Sequence, residues 1–223
     1  MLKKELFNGV KACIFDLDGT LVDSMSLWYQ IDIAFFSAHG MEVPKDYVKA
    51  ISHMNFMEMA NYTHDKYHLK ETPAQIAEIW TNMSLAAYSH DIKAKEGAKE
   101  FLSILKNNGI KISLATTNKA ILYESCLRNN DMWGYFDYAI DVNSLGSSKK
   151  EPLIYQLLAR KMNVQPSETI VFEDIIMAAK TAHDAGFRTV AVSDEASKND
   201  RDELIRTSDY FLKNYNELIN YDK

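Results

Sequence analysis

The chain is short of the residues that staple, break or anchor a fold. Its 223 residues hold two cysteines, four prolines and eight glycines. Cys13 and Cys126 cannot build a disulfide framework, and neither stands in a Cys-x-x-Cys or Cys/His spacing suited to zinc, so a reducing, cytoplasmic setting is expected. Basic residues are in deficit, 25 Lys plus Arg against 31 Asp plus Glu, for a formal net charge of −6. That balance disfavours general attraction to nucleic acid or an anionic membrane surface. No apolar run approaches the ~20 residues of a membrane span, and Asp16 and Asp18 arrive before a secretory apolar segment could develop. The expectation is a soluble, unprocessed protein with neither a nucleic-acid nor a membrane partner, and a monomer. What is plentiful is core material. Hydrophobic residues make up 47% and charged ones 25%, which argues against disordered, collagen-like and coiled-coil classes. The length suits one core carrying a sizeable insertion.

Periodicity divides the chain. Val10 to Phe15 is a brief, partly β-branched apolar run, sharply ended by acids, and reads as a buried strand. From Leu27 to about Tyr88 the spacing is helical. Leu27, Ile31, Ala34, Phe35 and Ala38 form one stripe, and Phe56, Met59, Ala60, Thr63 and Tyr67 another. Thr72-Pro73-Ala74-Gln75 predicts a capped helix start. After that, helices and strands alternate: a helix through Ala98, Phe101, Leu102 and Leu105 with a stop at Asn107-Asn108-Gly109, then a strand over 110–115. A helix near 119–129, a strand near 138–140, a helix near 153–162 and strands at 169–172 and 189–192 follow. The predicted fold is α/β: a Rossmann-like parallel sheet with helices on both faces and an inserted α-helical cap. The expected division is core over 1–24, cap over 25–92 and core again over 93–223, with exits near Asp23 to Ser26 and Ser89 to Lys95.

In an open parallel sheet, ligands bind beyond the carboxyl ends of the strands, so residues just after each strand are the informative ones. Asp16-Leu17-Asp18-Gly19-Thr20 follows the first strand, its i, i+2 spacing placing two carboxylates on one side of extended backbone. Thr116-Thr117-Asn118 follows the second and leads into a helix N-terminus that favours phosphate. Lys149 comes later, before Lys150-Glu151-Pro152, and Glu173-Asp174 ends the most apolar strand. Four acids gathered at one edge repel one another unless a cation or proton compensates. A hard divalent ion fits, and Mg2+ fits better than zinc because no Cys or His cluster accompanies the acids. With Mg2+ and Lys149 screening the charges, Asp16 can attack phosphorus to form an aspartyl phosphate. Asp18 can protonate the leaving alcohol and then deprotonate water.

These residues resemble the haloacid dehalogenase-like superfamily, in its phosphatase and phosphomutase branch. Residues 10–23 (VKACIFDLDGTLVD) look like its first motif, 114–117 its second, Lys149 with Pro152 and Tyr155 its third, and 171–174 with Ala185-Gly186 its fourth. The resemblance implies Asp16 as nucleophile and metal ligand, and Asp18 as acid/base and, through its main-chain carbonyl, metal ligand. It implies that Thr116 and Lys149, with Thr117 and Asn118 beside them, hold phosphate. Asp174 ligates the metal, with Glu173 ligating it or standing behind a ligand. The helical insertion looks like the family's cap, which closes over the site and selects substrate. Lys150 stands where the third motif often has Pro, and Ile175 replaces a frequent Ser. Trp28 stands where mutase-like members usually carry His, although Lys119 sits where a mutase has a phosphate-binding Lys.

The expected function is therefore Mg2+-dependent hydrolysis of a small phosphorylated metabolite, a sugar or polyol phosphate. The alternatives are a phosphotransferase of the β-phosphoglucomutase type and a non-enzymatic receiver-like phosphorylation switch. Trp28, His53 and Asn55 are the candidate cap specificity residues. Elsewhere plain structural roles are expected. His64 and His68 share a solvated helix face without a third ligand, Met54, Met57 and Met59 fill the cap core, Cys13 is a small core residue, and Lys198 to Glu203 is a solvated charge run.

Overall fold

The structure, a computed structural model, describes residues 2, 4–52 and 54–219. Its centre is a six-stranded, all-parallel sheet in the order β3-β2-β1-β4-β5-β6. The strands are β1 (Ala12–Phe15), β2 (Lys111–Thr116), β3 (Tyr138–Asp141), β4 (Thr169–Glu173), β5 (Arg188–Val192) and β6 (Tyr210–Leu212). The helices are α1 (Lys4–Phe7), α2 (Met25–Ala38), α3 (Tyr47–Ile51), α4 (Phe56–Tyr67), α5 (Pro73–His90), α6 (Ala98–Asn107), α7 (Ala120–Asn129), α8 (Leu153–Met162), α9 (Ile176–Asp184) and α10 (Arg201–Thr207). The α/β reading of the sequence holds, including the parallel sheet clothed by helices. Strand β6 and helices α1, α9 and α10 are additions to it: short, or without a strong apolar stripe.

A parallel sheet covered on both faces needs apolar side chains on both, and the strands supply them by strict alternation. Cys13, Phe15, Ile112, Leu114, Ile170, Phe172, Val190 and Val192 turn to one face, where Phe101, Leu102 and Leu105 of α6 and Leu122 of α7 meet them. Ala12, Ile14, Ala115 and Val171 turn to the other, against Ile154, Tyr155 and Leu158 of α8. The heart of the first face is aromatic. Phe172 stacks on Phe15 at 4.4 Å between centroids, meets Phe101 edge-on at 5.7 Å and lies 6.1 Å from Tyr215. Phe15 and Phe172 are neighbours in register across β1 and β4, so the packing that stabilises the core also sets the strands whose next residues are Asp16 and Glu173.

Between β1 and α6 the chain makes four helices, α2 to α5, with an apolar cluster of their own built on Ile31, Phe35, Phe36, Tyr47, Phe56, Ile76 and Trp80. Local signals set the helix starts. Thr72 and Gln75 form the anticipated capping box with Pro73 in the first turn, and Asn55 with Glu58 forms a second one at α4. The two chain crossings to this insert pair with each other: Asp23 N–H donates to the Lys93 carbonyl at 3.0 Å and Lys95 N–H to the Leu21 carbonyl at 2.9 Å. Lys95 Nζ then joins Asp23 and Asp194, at 2.7 and 2.8 Å. The methionine stretch differs from expectation. Met59 packs in the insert's core, but Met57, on the outward face of α4, is exposed, and Met54, which precedes α4, borders a cavity. His64 Nδ1 donates to the Glu71 carbonyl at 2.9 Å, so it is tied to backbone rather than free on a wet face. Among the described residues no helix is long and apolar enough to cross a membrane.

Truncating the central ring tests this packing. Phe172→Ala is expected to lower unfolding free energy by about 3–5 kcal/mol, the range for deleting a buried aromatic ring, read from urea unfolding monitored by circular dichroism.

Candidate active site

The strand order reverses across β1 and β4, which leaves a crevice beyond their carboxyl ends. Asp16 leaves β1 there, and Glu173 and Asp174 leave β4 beside it. One carboxylate oxygen from each of the three lies within 4.8 Å of the others, although they are only 6%, 1% and 2% exposed. Lys149 enters from the loop before α8, is itself buried, and donates to Asp16 Oδ1 and, at 2.7 Å, to Glu173 Oε1. Tyr155, one turn into α8, donates to the same Glu173 oxygen at 2.7 Å. The Thr20 hydroxyl donates to Asp174 Oδ1 at 3.3 Å.

One ammonium cannot balance three buried carboxylates. Burial works against the charge on Lys149, but Asp16 and Glu173 outweigh it and hold its pKa above the ordinary range. Burial pushes Glu173 up to about 7 despite Lys149. Burial, followed by the charges of Asp16 and Glu173, pushes Asp174 well above the usual carboxylate range. Glu173 Oε2 is buried with no hydrogen-bond partner among the described residues. An all-oxygen donor set with excess negative charge and an orphaned oxygen fits a hard divalent cation, and Asp16, Glu173 and Asp174 are the residues that would hold it.

Asp18 points elsewhere. Its Oδ1 accepts from the Ser24 hydroxyl at 2.5 Å and from the Tyr88 hydroxyl, and its Oδ2 from the Asn118 amide at 2.5 Å. Its side chain is accordingly outside the three-carboxylate cluster. Burial first, then the Asp16 charge, raises Asp18 to about 6 against the opposing hydrogen bonds. Tyr88 Oη also accepts from Trp28 Nε1 at 2.8 Å and Asn118 Nδ2 at 2.9 Å. Both are donors only, so the single Tyr88 proton is committed to Asp18. Tyr88 ends α5 and Trp28 opens α2, so the insert takes part in holding this carboxylate.

Of the remaining expected residues, Thr116 is buried at the end of β2 and its hydroxyl accepts from the Asn118 N–H at 3.0 Å. Thr117, Asn118 and Lys149 border a cavity of about 980 Å³ between sheet and insert, as do Asp16, Asp18 and Trp28. Two expectations need correction. The Asn118 amide is committed to Asp18 and Tyr88 rather than free for phosphate. Asn55, offered as a specificity residue, caps α4 through Oδ1 and donates to the Ser147 carbonyl at 2.9 Å. Since Asn143 also accepts from Phe56 N–H at 2.9 Å, this end of α4 is a latch onto the core. His53 lies outside the described residues. Sequence reasoning missed Ser24, Tyr88 and Asn143. A serine, a tyrosine or an asparagine without a motif carries no signal until the chain folds.

The sequence and the fold have counterparts among known proteins. The family model for haloacid dehalogenase-like hydrolases matches residues 13–192. The chain belongs to this family. Among curated relatives, a phosphorylated carbohydrates phosphatase of Thermotoga maritima is 25% identical over 181 residues, covering 81% of this chain and 84% of that protein. Hexitol phosphatase B of Escherichia coli K12 is 21% identical over 196 residues, covering 86% and 87%. Among solved structures, CbbY from Rhodobacter sphaeroides in complex with phosphate aligns over 94% of this chain and 96% of that one with a TM-score of 0.80 at 23% identity. The β-phosphoglucomutase of Clostridium difficile aligns over 94% and 93%, with a TM-score of 0.77 at 22% identity. Both likenesses are of fold.

The site carries two checks. A Cβ on Gly19, whose φ is +78°, would lie 2.3 Å from Asp174 Oδ2, so Gly19→Ala should cost about 1–3 kcal/mol in thermal unfolding and displace Asp174. A carboxyl whose folded pKa exceeds its unfolded value stabilises the fold below the unfolded pKa and loses that contribution as pH rises through the folded one. With Asp18 raised to about 6 and Glu173 to about 7, the protein in chelator should lose melting temperature from about pH 4 to about pH 7. A divalent cation should flatten that slope, and differential scanning fluorimetry across pH with and without the metal would read it.

Proposed function

We propose that this protein is a Mg2+-dependent phosphatase that hydrolyses a small phosphorylated metabolite, of the sugar or polyol phosphate class, through an aspartyl phosphate on Asp16. The observation that carries it is the meeting of Asp16, Glu173 and Asp174 around a common point, with Lys149 on Asp16 and a large cavity opening above them. The names of the curated relatives, a phosphorylated carbohydrates phosphatase and a hexitol phosphatase, support the substrate class.

Asp16, Glu173 and Asp174, together with the Asp18 main-chain carbonyl, would hold Mg2+, which would supply charge that offsets the phosphate dianion. Lys149 adds a positive charge on the same side, and Thr116 and Thr117 offer hydroxyls to the phosphate oxygens. An Asp16 carboxylate oxygen attacks phosphorus in line with the ester oxygen. As that P–O bond breaks, protonated Asp18 gives its proton to the departing alkoxide, releasing an alcohol and leaving Asp16 phosphorylated. Asp18, now a carboxylate, takes a proton from water as the water attacks the same phosphorus. The Asp16–phosphorus bond breaks, inorganic phosphate leaves and Asp18 is again protonated. A carboxyl poised near pH 6 suits both halves.

Residues 25–92 act in this scheme as a cap hinged at the paired crossings between 1–24 and 93–223, with Lys95 fastening the hinge to Asp194. The cap excludes water and shapes the leaving-group side. Hydrolysis is favoured over phosphoryl transfer between sugar positions by the placement of Lys119. Its ammonium lies 5.3 Å over the Phe56 ring and 3.4 Å from the Ala77 carbonyl, tied to the insert. A receiver-like switch has no use for a cavity of this size.

Asp16→Asn is expected to keep the fold while lowering phosphate release from p-nitrophenyl phosphate by at least about a thousandfold, since it removes the nucleophile. Turnover retained by that variant would contradict the assignment of Asp16. EDTA should abolish wild-type activity, with Mg2+ restoring it and raising the melting temperature.

A further inference from the structure

The cavity above the carboxylates is lopsided in charge. Its cap wall is aromatic and aliphatic. Trp28, Tyr47, Phe56 and Trp80 border it, with Phe56 6.1 Å from Trp28 and 5.7 Å from Trp80 between ring centroids. Within that wall stands one carboxylate, Asp32, one helical turn beyond Trp28 on α2 and therefore on the same helix face.

Each other charged group bordering the cavity is matched. Lys149 is paired with Asp16 and Glu173, Lys198 with Glu195, and Asp23 and Asp194 with Lys95. Asp18 accepts three hydrogen bonds. Among the described residues Asp32 has neither a hydrogen-bond nor an ion-pair partner. Burial alone pushes it up to about 7, and its charge in turn disfavours ionisation of the Tyr47 hydroxyl. A half-buried carboxylate with no counter-charge is costly to keep, and the cost is removed by a cation brought in with a ligand.

We propose that Asp32 and the rings of Trp28, Tyr47 and Trp80 form a subsite for an ammonium group on the substrate's leaving portion, so that the preferred substrates are phosphate monoesters of amino sugars or amino alcohols. The carboxylate supplies the counter-charge, and aromatic faces attract a cation further. Among the described residues the buried indole N–H of Trp80 has no acceptor, which suits a ligand that also carries an ether or hydroxyl oxygen. The same charge inventory disfavours a second anionic group. No unpaired lysine or arginine borders the cavity among the described residues, so bisphosphates and phosphorylated carboxylic acids meet a wall without a partner.

The inference rests on the phosphatase reading and deepens it. Its test compares matched pairs with Mg2+ present: glucosamine 6-phosphate against glucose 6-phosphate, and phosphoethanolamine against ethylene glycol monophosphate, with p-nitrophenyl phosphate as a substrate that probes the chemistry alone. The wild type is expected to favour the amine of each pair by about tenfold or more in kcat/KM, mainly through KM, a size typical of a partly desolvated ion pair with ring contacts. In Asp32→Asn the amine-to-neutral ratio should fall towards one. Hydrolysis of p-nitrophenyl phosphate with no amine preference in the wild type would overturn the subsite and leave the phosphatase standing. A polyol preference lost in Asp32→Asn would assign Asp32 to hydroxyls and overturn it as well. No hydrolysis of any of the five would overturn the phosphatase reading and the subsite together. Because the wild-type ratio is decisive by itself, the test survives a variant that fails to fold.

Discussion

Three buried carboxylates share one small volume in this protein, and their mutual repulsion governs what surrounds them. Asp16, Glu173 and Asp174 are buried within reach of a common point, where taking charge out of water costs several kcal/mol per ion unless it is compensated. Lys149 compensates part of it. Tyr155 and Thr20 add hydrogen bonds, and a divalent cation would complete the balance. A surface that neutralises its own acids by recruiting positive charge becomes a place where phosphate can approach an acidic protein, which reconciles the net charge of −6 with an anionic substrate.

The fold exists, from this viewpoint, to hold those acids where they would not stay by themselves. Stacking of Phe15 on Phe172 fixes β1 against β4, so the residues that follow are set by core packing rather than by flexible loops. Gly19 bends the chain back beneath Asp174 in a space that has no room for a Cβ. The insert is coupled to the same machinery through Trp28 and Tyr88, which reach Asp18 across the crevice. The position of the insert and the state of the Asp18 carboxylate are therefore physically linked, while Asn55 and Asn143 pin the far end of the insert to the core.

Much of this was legible in the amino-acid order because the responsible signals are local. Alternating apolar strands, the capping box at Thr72 and acids at strand ends can be read from short windows, and Asp16, Lys149, Glu173 and Asp174 do converge. What escaped was long-range or idiosyncratic. Strand β6 is only three residues long and partly exposed. Tyr88 and Ser24 serve Asp18 only because the insert folds back over it. Asn118 and Asn55 are polar residues in the expected neighbourhood, yet their amides are taken up by Asp18, Tyr88, Ser147 and helix capping, a competition among partners that spacing cannot rank. Asp32 lay unremarked in an apolar stripe, since a carboxylate on a helix is normally wet, and only the cavity shows that it is not.

The central claim is that one divalent cation sits between the ends of β1 and β4, next to the oxygen that attacks phosphorus. A crystal structure of the protein soaked with Mn2+ as an anomalous stand-in for Mg2+, together with beryllofluoride, addresses it most directly. A single anomalous peak contacting Asp16 and Asp174, with beryllium bonded to the free Asp16 oxygen and Lys149 beside it, is the predicted result. Metal density away from those two carboxylates, or beryllofluoride bound to any other residue, would contradict it.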